Sequence, residues 1–194
     1  MSDLTSQVLS HLEPSSIEAI AAHLGVDPAQ AEAAIQKAVP LVVGGLAHNA
    51  STAAGANALH NAAADHAGMD IGSILGSVLG GGGAGGSILG HIFGSRQDQA
   101  AQNLGQASGL GAQNAGQLLV MLAPMIMGVL GNMTQKQGMN PGGLGSMLGQ
   151  EAQRIGQAGG GLLSSVLDQD GDGKLGLGDL LKVGSKFLSS RRSV

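Results

Sequence analysis

A four-residue pattern that joins a glycine to a helix-capping residue occurs three times in this sequence. The three copies are Gly25-Val26-Asp27-Pro28, Gly68-Met69-Asp70-Ile71 and Gly138-Met139-Asn140-Pro141. Glycine adopts the left-handed conformation that ends many helices. Asp or Asn caps the next helix, and proline fits its first position. Each copy therefore predicts a tight corner between two helices.

Apolar residues have helical spacing through most of the chain, and few stretches alternate as strands do. We predict helices at 3–12, 16–24, 28–46, 52–67, 71–79, 87–93, 97–107, 113–131, 141–157, 161–167 and 177–189. The third helix is expected to bend or break near Pro40, because proline removes a backbone hydrogen bond. The predicted fold class is all-α, a compact array of short Gly-capped helices with a single C-terminal EF-hand-like loop.

The chain is rich in glycine and aliphatic residues and poor in aromatic residues, which limits the side chains that can form a hydrophobic core. The chain of 194 residues has 35 glycines and only two aromatic residues, Phe93 and Phe187. The core is therefore expected to consist of Leu, Ile, Val, Ala and Met, with backbones approaching closely at glycine. The tract 80–86 predicts a Gly-rich linker between an N-terminal helical part (1–79) and a C-terminal helical part (87–160). The alternative is one continuous helical body.

Two further patterns recur along the chain. The segment from Val39 to Leu46 resembles the segment from Ala123 to Leu130, with Pro, Gly and Leu at the same spacing. The motif Leu-Gly-x-x-x-Gly begins at Leu75, Leu89 and Leu144. Each glycine inside a helix costs about 1 kcal/mol relative to alanine, so its repeated use indicates close helix contacts or short helices. The alternative is compositional bias in a glycine-rich chain.

A regular series of aspartates lies between Asp168 and Asp179, which match D-x-D-x-D-G-x5-D. Calcium prefers roughly six to eight oxygen ligands, and this spacing directs carboxylates inward from a tight turn. Gly173 lies where the loop must turn sharply. The sequence therefore predicts one EF-hand-type calcium site within a helix-loop-helix at 161–194. The predicted ligands are Asp168, Asp170, Asp172, Asp179 and the backbone carbonyl of Lys174.

Two features set the expected strength of this site. The last ligand is Asp179 rather than the usual Glu, as in dockerin-type loops, and we find no second loop to pair with the first. An unpaired loop predicts weak affinity, with a dissociation constant of roughly 10⁻⁵ to 10⁻³ M, unless another chain supplies the partner. The alternative is an Asp- and Gly-rich turn that holds no physiological metal.

Several classes of protein are not expected from this sequence. The chain has no cysteine, which excludes disulfides, thiolate catalysis and Cys-based zinc sites. Its first residues do not resemble a signal peptide. The most apolar run, Leu118 to Gly131, has 14 residues, fewer than the roughly 18 to 20 that span a bilayer. We therefore expect a cytoplasmic protein without a transmembrane segment, in which this run is a buried core helix.

Catalytic patterns are not found either. The six histidines are scattered and form no i, i+4 pair, so we expect them on the surface. Neither a nucleophile motif nor a phosphate-binding glycine loop occurs. The expectation is a non-enzymatic protein, and no small-molecule substrate is identified.

Methionines cluster in the C-terminal half, where Met121, Met125 and Met127 follow closely on one another. Methionine fills irregular cores and also forms adaptable binding surfaces, so both interpretations are open. Only 22 residues of 194 are charged, counting Lys, Arg, Asp and Glu together. We therefore predict self-association, with these three methionines in the interaction surface and a homo-oligomer as the product. A monomer that buries the same side chains is the alternative.

The first corner also resembles a helix-turn-helix, which makes a nucleic-acid-associated regulator the alternative function. DNA binding requires cations that contact phosphates. Residues 1–67 have one basic residue, Lys37, and six acidic ones, a formal charge of about −5. The predicted recognition helix offers Glu32 and two glutamines. No nucleic-acid partner is therefore expected.

The order of these elements resembles a known bacterial family. The residues that carry the resemblance are Leu24-Gly25-Val26-Asp27, Ala38-Val39-Pro40 with Gly44-Gly45-Leu46, Gly72-Ser73-Ile74-Leu75-Gly76, and Leu167 to Gly173 leading into Asp179-Leu180-Leu181. They resemble the YidB-like family, also named domain of unknown function 937. The resemblance implies an all-helical fold, described for one relative as homeodomain-like, and it implies no established activity. The sequence as a whole predicts a calcium-binding structural or interaction protein.

Overall fold

Helices account for nearly all of the regular structure in the computed structural model, which describes residues 4–81 and 84–157. The helices are α1 Leu4–His11, α2 Pro14–Leu24, α3 Pro28–Asn49, α4 Ala53–Asp65, α5 Ile71–Leu79, α6 Ala84–Phe93, α7 Gln97–Ser108, α8 Gly111–Lys136 and α9 Pro141–Gln157. A 3-10 turn, Gly94–Arg96, joins α6 to α7. No strand occurs in these two ranges, which confirms the all-α prediction.

The three predicted corners are present. Their glycines have positive φ angles of 67° at Gly25, 79° at Gly68 and 58° at Gly138. Asp70 caps α5 by accepting a hydrogen bond from the Ser73 N–H at 3.0 Å. Asn140 caps α9 in the same way, with the Gly143 N–H at 2.8 Å. Asp27 precedes α3 without a side-chain cap bond, so the cap chemistry is used at two of the three corners.

Two long helices, α3 and α8, form the centre of the fold. Each continues through an internal proline, Pro40 in α3 and Pro124 in α8. Of the predicted bend or break near Pro40, the break is therefore wrong, since the helix runs unbroken to Asn49. Every residue from Leu41 to Ala47 is buried, and the packing of this segment offsets the hydrogen bond that proline removes.

A single hydrophobic core joins the two parts on either side of the Gly-rich tract. Buried side chains from 4–75 and from 89–148 belong to one cluster. Helix α6 begins at Ala84, within the tract predicted as a linker. Within α6, a Cβ at Gly85 would overlap the Val120 carbonyl, so α6 and α8 meet backbone to backbone. The predicted helix-loop-helix at 161–194 lies outside the described residues.

One helix among the described residues, Gly111–Lys136, is long and apolar enough to cross a membrane by length and composition. It has 26 residues, more than the apolar run of the sequence indicated. Within its most apolar window, 78 % is buried inside the protein. Other helices cover it, as expected for the core helix that the sequence analysis favoured.

Candidate functional site

The predicted calcium loop lies outside the described residues. Its ligands, Asp168, Asp170, Asp172, Asp179 and the Lys174 carbonyl, therefore have no geometry to report. In the parts of the chain that are described, no three His, Asp or Glu side chains come together as a metal-binding group. The candidate metal centre thus depends on the spacing of the sequence alone.

The methionines predicted to form an interaction surface lie in the core. Met121, Met125 and Met127 are 2 %, 1 % and 2 % exposed. Helix α8 packs against α4, α6 and α7, and these neighbours enclose the methionine-rich segment. The three side chains therefore pack against neighbouring helices of the same chain, and Met127 also lines the groove described next. Their role in an interaction surface stays a prediction.

The described residues do form an apolar groove, which lies between α4 and α6. Its cavity has a volume of about 510 Å³, within the size range of ligand-binding clefts. Its floor includes the buried side chains Leu46, Leu59, Ile92 and Met127. The α4 wall carries the small residues Gly55, Ala58 and Ala62 and ends at His66, and the α6 wall carries Ser87, Ile88 and His91. We call this feature the α4–α6 groove.

Small residues on one face of α4 create the space. Gly55, Ala58 and Ala62 lie on that face at helical spacing, and none has a side chain longer than a methyl group. Gly55 is also required by the turn before α4, since a Cβ there would overlap the Asn49 carbonyl. The width of the groove is therefore built into the backbone arrangement as well as into the side chains.

Polar groups lie at the edge of the groove. The Asn49 side-chain amide donates to the His91 and Ile92 carbonyls at 2.8 and 3.0 Å, which satisfies carbonyls in the last turn of α6. His91 Nδ1 lies 2.7 Å from the Ser87 carbonyl, and His66 Nδ1 lies 2.8 Å from the Ala62 carbonyl. A carbonyl only accepts, so Nδ1 donates in both contacts.

This site was not identified from the sequence. The histidines were expected to be scattered surface residues, and nothing in the local sequence shows that α4 and α6 line one groove. One signal was available, namely the recurrence of Gly and Ala on one face of α4. In a chain with 35 glycines, that signal is too common to single out a groove.

A second polar contact ties α9 to α1. Glu151 is 4 % exposed and accepts hydrogen bonds from the Thr5 hydroxyl at 2.7 Å and from the Thr5 N–H at 3.2 Å. Its other oxygen lies 3.3 Å from Arg154 Nη1. The carboxylate thus meets the N-terminus of α1, where unpaired N–H groups and the helix dipole favour an anion.

The helix-turn-helix-like corner is formed by α2 and α3. The exposed face of α3 carries Glu32 and Lys37, and the Lys37 ammonium donates to the Ala107 carbonyl of α7. Gln30 likewise donates to the Gly109 carbonyl at 3.3 Å. Two of the polar side chains of α3 therefore donate hydrogen bonds to carbonyls at the C-terminal end of α7.

Comparison with known families agrees with the resemblance carried by the sequence motifs. Residues 6–133 match the family described as "Bacterial protein of unknown function (DUF937)". Comparisons with curated proteins and with solved structures gave no match. The matched residues extend from α1 into α8 and end before the predicted calcium loop. The chain therefore belongs to this bacterial DUF937 family, whose function is unknown.

Proposed function

We propose that this protein is a non-catalytic, cytoplasmic calcium-binding interaction protein. In this proposal the loop from Asp168 to Asp179 holds one calcium ion, and the helical body provides an apolar surface for self-association. The observation that carries the proposal is the aspartate spacing D-x-D-x-D-G-x5-D. That spacing supplies four carboxylates and one carbonyl, the hard oxygen ligands that calcium requires.

Calcium titration by calorimetry tests the metal site. We expect one site per chain, and we expect the double substitution Asp168→Ala with Asp172→Ala to abolish it. The matched control is Asp65→Ala with Asp98→Ala, which removes two exposed aspartates of the helical body and should leave the titration unchanged. Equal loss of binding in both double variants would show that calcium is attracted by negative charge in general and is not held by a defined loop.

Linkage gives an independent measurement of the same site. An ion that binds only the folded chain adds about 2.7 kcal/mol of stability when its concentration is 100 times the dissociation constant. Thermal unfolding is therefore expected at a higher temperature in millimolar calcium than in EDTA. An identical melting temperature in the two solutions, together with a flat titration, contradicts the calcium proposal.

The α4–α6 groove is the surface that best supports the proposed self-association. Two helices form its walls, and grooves of this kind accept an apolar helix face. From Gly55 to His66 the α4 wall spans about 16 Å at 1.5 Å per residue, enough for roughly three turns of a bound helix. The low charge of the chain also reduces the repulsion between copies.

Light scattering at micromolar concentration tests this assembly. We expect a mass that is a multiple of the 19.0 kDa chain, and we expect Ala58→Glu to reduce it by placing a charge in the groove. Ala64→Glu is the matched control, because Ala64 is exposed on the same helix and does not line the groove. A mass near 19.0 kDa for the unmodified protein contradicts self-association.

The alternative, a helix-turn-helix regulator, has less support. Helix α3 is buried along much of its length, and its exposed face combines one acidic residue with a lysine that contacts α7. Phosphate contacts would need more free cations on this face. A salt-sensitive complex with duplex DNA at micromolar or lower concentration would favour the regulator over our proposal.

A further inference from the structure

The helical body contains two similar series of four helices. Helices α1 to α4 form the first unit and α6 to α9 the second. In both units a left-handed glycine, Gly25 or Gly109, precedes the long helix. The internal prolines follow these glycines at equal spacing, Pro40 after Gly25 and Pro124 after Gly109. The resemblance between 39–46 and 123–130 is thus part of a longer correspondence.

The packing has the same correspondence. Helix α3 packs against α9, the last helix of the second unit, and α8 packs against α4, the last helix of the first. The two long helices also pack against each other, as do α4 and α9. Each unit therefore contributes its final helix to the other, as expected for two related halves about an approximate twofold axis.

Helix α5 follows the first unit, and the sequence contains a counterpart after the second. Residues 72–79 are GSILGSVL and residues 160–167 are GGLLSSVL, which are identical at five of eight positions. The spacing also agrees. Gly72 lies as many residues after Ala53, where α4 begins, as Gly160 lies after Pro141, where α9 begins. The corner differs, since Asp70, the cap of α5, corresponds to Ala158.

The contact that seats α5 on α8 is centred on a glycine. A Cβ at Gly128 would lie 3.0 Å from Ile74 Cδ1, and Ile74 and Leu75 are 7 % and 5 % exposed. Gly128 is the fourth residue after Pro124, and Gly44 is the fourth residue after Pro40. In the repeat, Leu162 corresponds to Ile74.

We propose that residues 160–167 dock on α3 at Gly44 as α5 docks on α8 at Gly128. The occupant is this segment of the chain, with Leu162 and Leu163 placed as Ile74 and Leu75 are. The docking is a property of the repeat and does not require calcium. Its consequence for the proposed function is that the first calcium ligand, Asp168, directly follows a segment anchored to the helical body.

Nuclear magnetic resonance on the methyl-labelled full chain tests this directly. We expect cross-relaxation between the Leu162 methyl groups and the Gly44 Hα protons. The contact between the Ile74 δ1 methyl group and Gly128 Hα provides a positive control in the same spectrum. Absence of the Leu162–Gly44 signal, with the control signal present, overturns the proposal.

Amide hydrogen exchange gives a second test with matched variants. We expect the amides of 162–167 to be protected, and Leu162→Asp to accelerate their exchange at least tenfold. The control is Ser165→Asp, because the corresponding Ser77 is exposed and its substitution should leave exchange unchanged. Exchange of 162–167 in the unmodified chain at the rate of an unfolded peptide overturns the proposal.

Measuring both spectra with calcium and with EDTA separates this inference from the calcium proposal. We expect the Leu162–Gly44 contact in both solutions. If the amides of 168–179 do not respond to calcium, the metal site fails and the docking stands. If the contact appears in calcium alone, the docking is induced by the metal and the repeat-based inference is wrong.

Discussion

Replacing Gly131 by alanine tests the closest approach between α4 and α8. A Cβ at this position would overlap the Ala63 carbonyl oxygen and lie 3.0 Å from the Ala67 nitrogen. Both neighbours are backbone atoms, which cannot rotate aside as a side chain would. The helices must move apart by roughly 1 Å before the contact becomes ordinary, and overpacking of this kind costs about 1–3 kcal/mol.

The substitution also has a favourable effect, which sets the net magnitude. Alanine stabilises a helix interior by up to about 1 kcal/mol relative to glycine. Because the clash is with backbone, we place its cost in the upper part of the range. The expected net result is destabilisation by roughly 1–2 kcal/mol, and a lower melting temperature by about 2–8 °C for a chain of this size.

Gly149→Ala is the matched control. Gly149 lies in the interior of α9, and no atom would lie within 4 Å of its Cβ. The same substitution there should stabilise the protein by up to about 1 kcal/mol. Urea unfolding followed by far-ultraviolet circular dichroism suits this chain, which has no Trp or Tyr. The reasoning is refuted if Gly131→Ala is as stable as the unmodified protein while Gly149→Ala behaves as expected.

Two further substitutions test local electrostatics and capping. Burial, and then the Arg96 charge, lower the pKa of His48 in the folded state. The unfolded chain therefore binds the proton more tightly than the folded chain does. Acidification below about pH 6.5 should for that reason destabilise the fold. His48→Gln should reduce the loss of unfolding free energy between pH 7.5 and 5; an equal loss in both proteins contradicts this. Asp70→Ala should cost about 1 kcal/mol by removing the cap of α5, whereas Asp27→Ala, whose side chain makes no cap bond, should have little effect in the same urea titration.

Helix positions in this fold were predictable because their signals are local. The corner at Gly138 and Asn140 contains its own stop and start chemistry, and α9 begins at Pro141 as predicted. Where a helix prediction was wrong, tertiary packing outweighed the intrinsic tendency of a residue to break a helix. Pro40 was expected to bend or break α3, but the helix continues through it. The segment that follows, Leu41 to Ala47, is buried, and its contacts stabilise the helix more than one hydrogen bond does.

The methionine-rich segment shows what a single sequence leaves undetermined. Residues that are apolar on all sides of a helix indicate burial, but the pattern does not show whether the cover comes from the same chain or from another copy. Met125 is enclosed by helices of its own chain. The α4–α6 groove was missed for the corresponding reason, since it exists only because two helices distant in sequence lie side by side.

Buried charge was the other feature that the sequence could not reveal. Residues 150–157 of α9 are mostly polar, and Glu151 among them looks like an ordinary surface residue. In the fold it is the one charged side chain that is buried among the described residues. Its burial follows from the position of α1, which the pattern of α9 does not encode.

Glu151 is therefore the best position for testing the contact between α1 and α9. Its carboxylate accepts two hydrogen bonds from Thr5 at a helix N-terminus, where an anion contributes about 0.3–1 kcal/mol beyond the hydrogen bonds. Glu151→Gln keeps an acceptor and removes the charge, so we expect a loss of about 1 kcal/mol. Glu151→Ala removes the oxygen that accepts both bonds and should cost about 2 kcal/mol, since bonds to charged groups are worth about 1.5–3 kcal/mol. Glu18 is exposed on α2, and its substitution by Gln should change stability by less than about 0.5 kcal/mol.

Amide exchange within α1 should accelerate in the Glu151 variants and remain unchanged in the Glu18 variant. If α1 keeps its protection in Glu151→Ala, the carboxylate does not hold this helix, and the apolar contacts of Leu4 and Val8 anchor it alone.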